Sequence, residues 1–162
     1  MANYLLLLRP QHYLKNISLF FPLFFAMQLT DSALFFSTSL AFLSFSACAS
    51  AIYILNDYCD IAADRQHPRK KMRPLAAGTI PIYKAFMLMG CLLLCGFVLM
   101  AMLSLQATLV LGAYVLMNIA YSFGLKKVSI LDVSLISTGF VLRLFIGALV
   151  CDIPLSMWII VI

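Results

Sequence analysis

The chain has 162 residues, 64% of them hydrophobic and 10% charged, with a formal net charge of +5. An ordinary soluble domain carries about 25% charged residues, so this chain cannot cover a globule of its own size with polar surface and needs lipid as part of its solvent. The basic excess raises nucleic acid as a partner, but the cations border apolar runs instead of lining a soluble face. Anionic lipid or an anionic small substrate fits better, and no nucleic acid is expected.

In chain order, residues 4–8 form an apolar run too short for a signal peptide; Arg9 and Pro10 follow, with no small-residue cleavage site. Longer apolar runs cover residues 17–29, 33–55, 82–103, 107–121 and 130–150, and another begins near Pro154. A spanning helix needs about 20 residues, which the second, third and fifth runs supply. The first and fourth are shorter and must borrow polar flanks. Thr30-Asp31-Ser32 and Ser104-Leu105-Gln106 read as turns between antiparallel helices. The fold class is therefore all-α, a polytopic transmembrane helical bundle of about five spans plus the start of a sixth. Residues 1–162 form a single transmembrane domain, expected to be incomplete at its C-terminal end.

All but one of the 11 Lys and Arg residues fall between alternate spans, on one side of the membrane. Excess Lys and Arg marks the cytoplasmic side, which puts the N-terminus and residues 56–73 there. The five cysteines show no disulfide or zinc spacing. Cys91 and Cys95 lie one helical turn apart in an apolar run, as small hydrophobes do.

The chain contains six acidic residues, all Asp. Asp57, Asp60 and Asp64 lie together in residues 56–65, and on a continuous helix they would project within an arc of roughly 60°. Three like charges so close destabilise a helix, and a divalent cation relieves the repulsion. Oxygen-only ligands favour Mg2+, which commonly binds through one or two carboxylates plus substrate phosphates. Asp57, Asp60 and Asp64 are thus the candidate metal ligands and catalytic residues, and a diphosphate is the natural partner. Arg65, Arg69, Lys70, Lys71 and Arg73 follow and can neutralise its charge, the arginines by bidentate pairing. A solvated surface loop is the bland alternative, and His67 reads more simply as a solvated loop residue than as a phosphate ligand.

The remaining cation, Arg143, lies inside the fifth apolar run. A charge at that depth costs about 2.5–3.5 kcal/mol on insertion scales and usually faces a cavity or a partner. Gly139, Arg143 and Gly147 share a helix face, so small residues flank the guanidinium. Either a structural ion pair or contact with substrate would explain it.

Asn56-Asp57-x-x-Asp60-x-x-x-Asp64 resembles the first aspartate-rich motif of UbiA-type intramembrane prenyltransferases. Arg9-Pro10-Gln11-x-x-x-Lys15-Asn16 is similar to the opening of the decaprenyl-phosphate phosphoribosyltransferase branch. So are Asp64-Arg65-x-His67-Pro68-x-Lys70-x-x-Arg73-Pro74-x-Ala76-x-Gly78 and Tyr121-Ser122-x-x-Leu125-Lys126, with Asp132 and Arg143 beyond. The resemblance implies a helical bundle with a central cavity opening to cytoplasm and membrane, in a bacterial inner membrane. It further implies Mg2+-dependent transfer of 5-phosphoribose from phosphoribosyl diphosphate to a polyprenyl phosphate. Asp57, Asp60 and Asp64 would hold the metal, with Asn56 orienting a phosphate or the metal shell. Lys15, Arg65, Lys70, Arg73 and Lys126 would supply positive charge, Tyr121 would position the ribose or acceptor phosphate, and Arg143 would contact substrate or support the acidic site. The implied partners are an isoprenoid lipid substrate, a diphosphate-bearing donor and membrane lipids.

Members of that family resemble bundles of roughly nine spans with a second acidic motif, so this chain corresponds to an N-terminal part; Asp132, read as a helix cap, cannot replace that motif alone. Aromatic prenyl transfer from a polyprenyl diphosphate is the competing activity. A non-catalytic transporter or assembly protein is the competing class, but it gives no reason for three clustered aspartates followed by five cations. CDP-alcohol phosphotransfer lacks its glycine-and-arginine spacing here.

Overall fold

The computed structural model describes residues 2–123 and 129–154, with side chains over 3–123 and 133–154. The elements are helical: α1 (Ala2–Leu8), a 3-10 helix (Pro10–Phe20), α2 (Phe21–Phe25), α3 (Ser32–Cys59), α4 (Ile61–Gln66), a 3-10 turn (Lys70–Met72), α5 (Ile82–Leu103), α6 (Leu105–Ser122) and α7 (Ser129–Cys151). Among the described residues four helices, α3, α5, α6 and α7, are long and apolar enough to cross a membrane.

Local chemistry sets their ends. The Asp31 carboxylate accepts from the N–H groups of Ala33 at 2.9 Å and Leu34 at 3.1 Å, satisfying the open first turn of α3. Ser104 does the same for α6, accepting from Ala107 N at 3.2 Å. Between these polar turns the helices expose Met87, Leu94, Val98 and Met102 of α5 and Leu109 and Leu116 of α6. Such apolar surfaces on helices of spanning length suit lipid, and the protein is an integral membrane protein.

The first apolar run corrects the sequence expectation. Residues 17–29 do not form a long α-helix; the chain runs as the 3-10 helix and then α2. It nevertheless travels the length of α3 in the opposite direction. Arg9 meets Asp57, the Tyr13 hydroxyl meets Ser50 Oγ at 2.7 Å, Asn16 donates to Ser46 Oγ at 2.9 Å, and Phe20 packs on Phe42 and Phe35. A 3-10 helix has three residues per turn. Tyr13, Asn16 and Leu19 follow that spacing, and each touches a neighbouring helix. The polar partners on α3 favour this tighter winding over the α-helical period.

Close approach at glycine completes the packing. A Cβ at Gly96 of α5 would stand 2.5 Å from Cys48 Sγ and 3.0 Å from the Ser44 carbonyl oxygen, and Ser44 Oγ donates to the Gly96 carbonyl at 2.7 Å. A Cβ at Gly147 of α7 would collide with the Leu19 carbonyl group. Bare backbone at these positions lets helices touch where lipid gives no hydrophobic drive between them. The core joins Leu19, Ala41, Phe45, Cys48, Met100, Leu111, Tyr114 and Ile146. A second cluster of Leu7, Ile54, Leu75, Ile80 and Ala85 lies at the α3 C-terminal end.

Candidate functional site

That second cluster builds the site. After α3 the chain breaks at Asp60 (φ −97°, ψ 2°), restarts as α4, and enters a loop containing Pro68, Pro74 and Gly78, the last at φ 72°. Leu75, Ala76 and Ile80 are buried although the loop is otherwise polar. Burying Leu75 and Ile80 against Leu7 of α1 and Ile54 of α3 pulls the loop back over the end of α3 and delivers Arg73 to it. Arg65 Nε donates to the Ala76 carbonyl at 3.1 Å, tying α4 to the returning loop. His67 Nδ1 accepts from the backbone of Arg69 at 3.2 Å and Lys70 at 3.3 Å, so its ring shapes the turn.

Asp57 and Asp64 are 2% and 3% exposed. Arg73 Nη1 donates to Asp57 Oδ1 at 3.2 Å and to Asp64 Oδ2 at 2.8 Å, bridging the two carboxylates. Arg9 pairs with the same oxygen of Asp57. Arg9 sits in the left-handed region (φ 52°, ψ 56°), a conformation that costs an L-residue about 1–2 kcal/mol; the ion pair offsets that strain. A cavity of about 350 Å³ opens beside these groups, lined by Arg9, Gln11, His12, Asp57, Arg69 and Arg73 among others.

Two details differ from the sequence expectation. The three aspartates do not share one continuous helix, because the backbone breaks at Asp60. Among the described residues no three His, Cys, Asp or Glu side chains converge as a ready-made metal set. Asp57 and Asp64 come together, and Asp60 stands at the break, where its charge adds to the field on Asp57. Asp57 Oδ2 and Asn56 Oδ1 are buried without a hydrogen-bond partner.

Lys15, Tyr121 and Arg143 lie elsewhere. A cavity of about 250 Å³ between the 3-10 helix, α3, α6 and α7 is lined by Lys15, Tyr53, Tyr114, Asn118 and Arg143 with apolar neighbours. A second hollow shares Lys15, Tyr53 and Asn118 and reaches Tyr121. Arg143 is 8% exposed. Its Nε donates to Asn16 Oδ1 at 2.9 Å and its Nη1 to the Gly139 carbonyl at 2.6 Å, and its guanidinium lies over the rings of Phe45 and Tyr114. Lys70 is exposed on the loop. Lys126 and the Asp132 side chain fall outside the described residues.

Comparison with known proteins places this arrangement. Residues 18–162 match the UbiA prenyltransferase family. The chain belongs to that family. Among curated UbiA-family relatives, decaprenyl-phosphate phosphoribosyltransferase of Mycolicibacterium smegmatis is 42% identical over 120 residues, 74% of this chain and 38% of that protein. The protein of the same name from Corynebacterium glutamicum is 36% identical over 155 residues, 93% of this chain and 47% of that one. The chain thus spans less than half the length of either relative. Among solved structures, one from work on digeranylgeranylglyceryl phosphate synthase in membranes superimposes with a TM-score of 0.81 at 21% identity, covering 99% of this chain and 55% of that one. That likeness establishes the fold, a UbiA-type bundle.

Sequence reasoning passed over Arg9 as a site residue. The Arg9-Pro10 start of the opening motif was its signal, but nothing local says that Arg9 reaches a residue 48 positions away. Asn16, part of the same motif, was likewise not assigned to Arg143.

Proposed function

We propose that the protein acts in Mg2+-dependent transfer of 5-phosphoribose from phosphoribosyl diphosphate to a polyprenyl phosphate, at the cytoplasmic face of the membrane. The observation that carries this reading is the Arg73 bridge between Asp57 and Asp64 at the wall of a basic cavity. Arg73 spends Nη1 on the carboxylates, which leaves Nε and Nη2 to donate to phosphate oxygens. Arg9 and Arg69 line the same space, and Lys70 follows on the loop. Arginine forks suit a diphosphate, whose oxygens accept paired hydrogen bonds.

The residues fit a hard cation. Asp57 Oδ2 and Asn56 Oδ1 are buried oxygens lacking partners, and Asp60 and Asp64 follow them in sequence. With the arginines claiming one oxygen each of Asp57 and Asp64, phosphate oxygens would have to complete the shell, as they do where Mg2+ binds through one or two carboxylates. When bound there, Mg2+ supplies charge stabilisation to the departing diphosphate.

The chain's own residues account for the rest. Arg9, Arg69 and Arg73 hold the diphosphate and stabilise the charge it gains as the bond to ribose C1 lengthens. The acceptor phosphate is already an anionic nucleophile and needs no strong general base. The apolar walls of the inner cavity suit an isoprenoid chain, and the curated relatives named above carry the same reaction class in their names. Cytoplasmic placement is supported by Arg9, Arg73 and Lys84 at one end of the bundle and the cation-free turns at Asp31 and Ser104.

Membranes carrying the protein, given labelled phosphoribosyl diphosphate and a polyprenyl phosphate, should pass label into the organic phase, and chelation should stop it. Label that stays water-soluble while an aromatic acceptor consumes a prenyl diphosphate would reject this reading.

A further inference from the structure

We infer that Arg143 and Lys15 form a second anion site inside the bundle, separate from the Asp57–Arg73 site, that takes a phosphate monoester. Arg143 lies within a membrane-spanning helix, yet among the described residues no carboxylate pairs with it; the ion pairs there are Arg9–Asp57, Arg73–Asp57 and Arg73–Asp64. A buried cation in a span is costly without a partner or a cavity. Guanidinium carries five N–H donors; Asn16 and Gly139 take two of them, and a third goes to the Tyr114 hydroxyl. The face of the group rests on Phe45 and Tyr114 at 4.7 and 5.3 Å. That support fixes its orientation and leaves donors over. The group lines a cavity of about 250 Å³ that Lys15 also lines.

Position links this cavity to the first site without merging them. Asn16 ties Arg143 to Ser46 of α3, about three helical turns, or roughly 16 Å, from Asp57. Tyr53 lies between: it lines the Arg143 cavity, while Arg9 and His12 pack against its ring. The remaining walls include Ile52, Met117 and Ile136, so an anion here has apolar neighbours. Two sources carry a phosphate monoester on the reading of function given above, on which the choice of probe rests. One is the head of the lipid acceptor, and the other is the 5-phosphate end of the donor.

Binding is measured on the whole chain in neutral-lipid nanodiscs, with no metal and no diphosphate, using polyprenyl phosphate, the uncharged polyprenol and ribose 5-phosphate as probes. Arg143→Gln should weaken phosphate-monoester binding by about tenfold or more while leaving polyprenol binding unchanged. Loss confined to polyprenyl phosphate assigns the site to the lipid head, and loss confined to ribose 5-phosphate assigns it to the sugar. Equal loss for polyprenol, or no loss for any probe, overturns the proposal. Should Arg143→Gln fail to fold, acetylation of wild-type Lys15 gives the answer: a phosphate monoester should slow it relative to Lys84, and equal rates with and without the probe would overturn the site. Phosphoribosyl diphosphate binding to Asp57→Asn is measured separately, so this site and the diphosphate site can fail independently.

Discussion

Asp57 carries two burdens, because it is both the buried carboxylate of the site and the anchor for two arginines from distant parts of the chain. Sequence reasoning alone expects Asp57→Asn to remove activity with little effect on folding. The ion pairs change that expectation. The amide keeps the shape but leaves Arg9 and Arg73 without their shared anion, so the proposed phosphoribosyl transfer should fall by about 10²-fold or more. Stability should fall with it by about 1.5–3 kcal/mol, the usual range for hydrogen bonds to charged groups. Denaturant titration in detergent and the organic-phase transfer assay separate the two effects. Arg73→Lys tests the bridge itself. A lysine keeps the charge but presents a single ammonium where a planar fork touched two carboxylates. Diphosphate affinity should drop about tenfold, and the loop around Leu75 should exchange its amides faster; unchanged exchange would mean that the apolar cluster alone holds the loop down.

At the scale of elements, the 3-10 helix is the part that hydrophobic periodicity describes least well. Only its last four residues belong to the apolar run at 17–29, which with borrowed polar flanks reads as a spanning α-helix. The structure instead winds this segment at three residues per turn, so that Tyr13, Asn16 and Leu19 share a face and each meets a neighbouring helix. Leu19 presents its backbone to Gly147, and nothing larger than hydrogen fits there. Gly147→Ala should therefore push this segment off α7 and cost about 1–3 kcal/mol, as overpacking does, read as a lower thermal midpoint in detergent. Equal midpoints for the two proteins would mean the segment can shift at no cost. Asp31→Ala should remove the α3 cap at a cost of about 1 kcal/mol, visible in the same melt. It should leave diphosphate binding intact, since Asp31 lies at the opposite end of α3 from Asp57.

For the whole molecule, membrane residence and the sidedness of the charge follow from composition and order. A cysteine-reactive, membrane-impermeant maleimide tests the orientation. With the native cysteines removed, Gln106→Cys should label in intact cells and Arg69→Cys only after permeabilisation. The reverse pattern would put the Asp57 site outside. The clustering of Asp57, Asp60 and Asp64, the basic loop after them and the motifs shared with the UbiA family are also legible in the sequence, because each is a matter of neighbours within a few positions. So is the oddity of Arg143, since a cation within an apolar run is conspicuous without any structure.

What the chain order could not give is which distant groups meet. Arg9 reaches Asp57 across 48 positions, and Arg143 finds Asn16 across 127. These pairings depend on how the first segment winds along α3 and on where the loop's buried Leu75 and Ile80 pull Arg73. Solvent preference and periodicity are local properties, written residue by residue. Convergence of charges is set by packing between elements, where burial of apolar side chains decides the positions the polar ones must occupy.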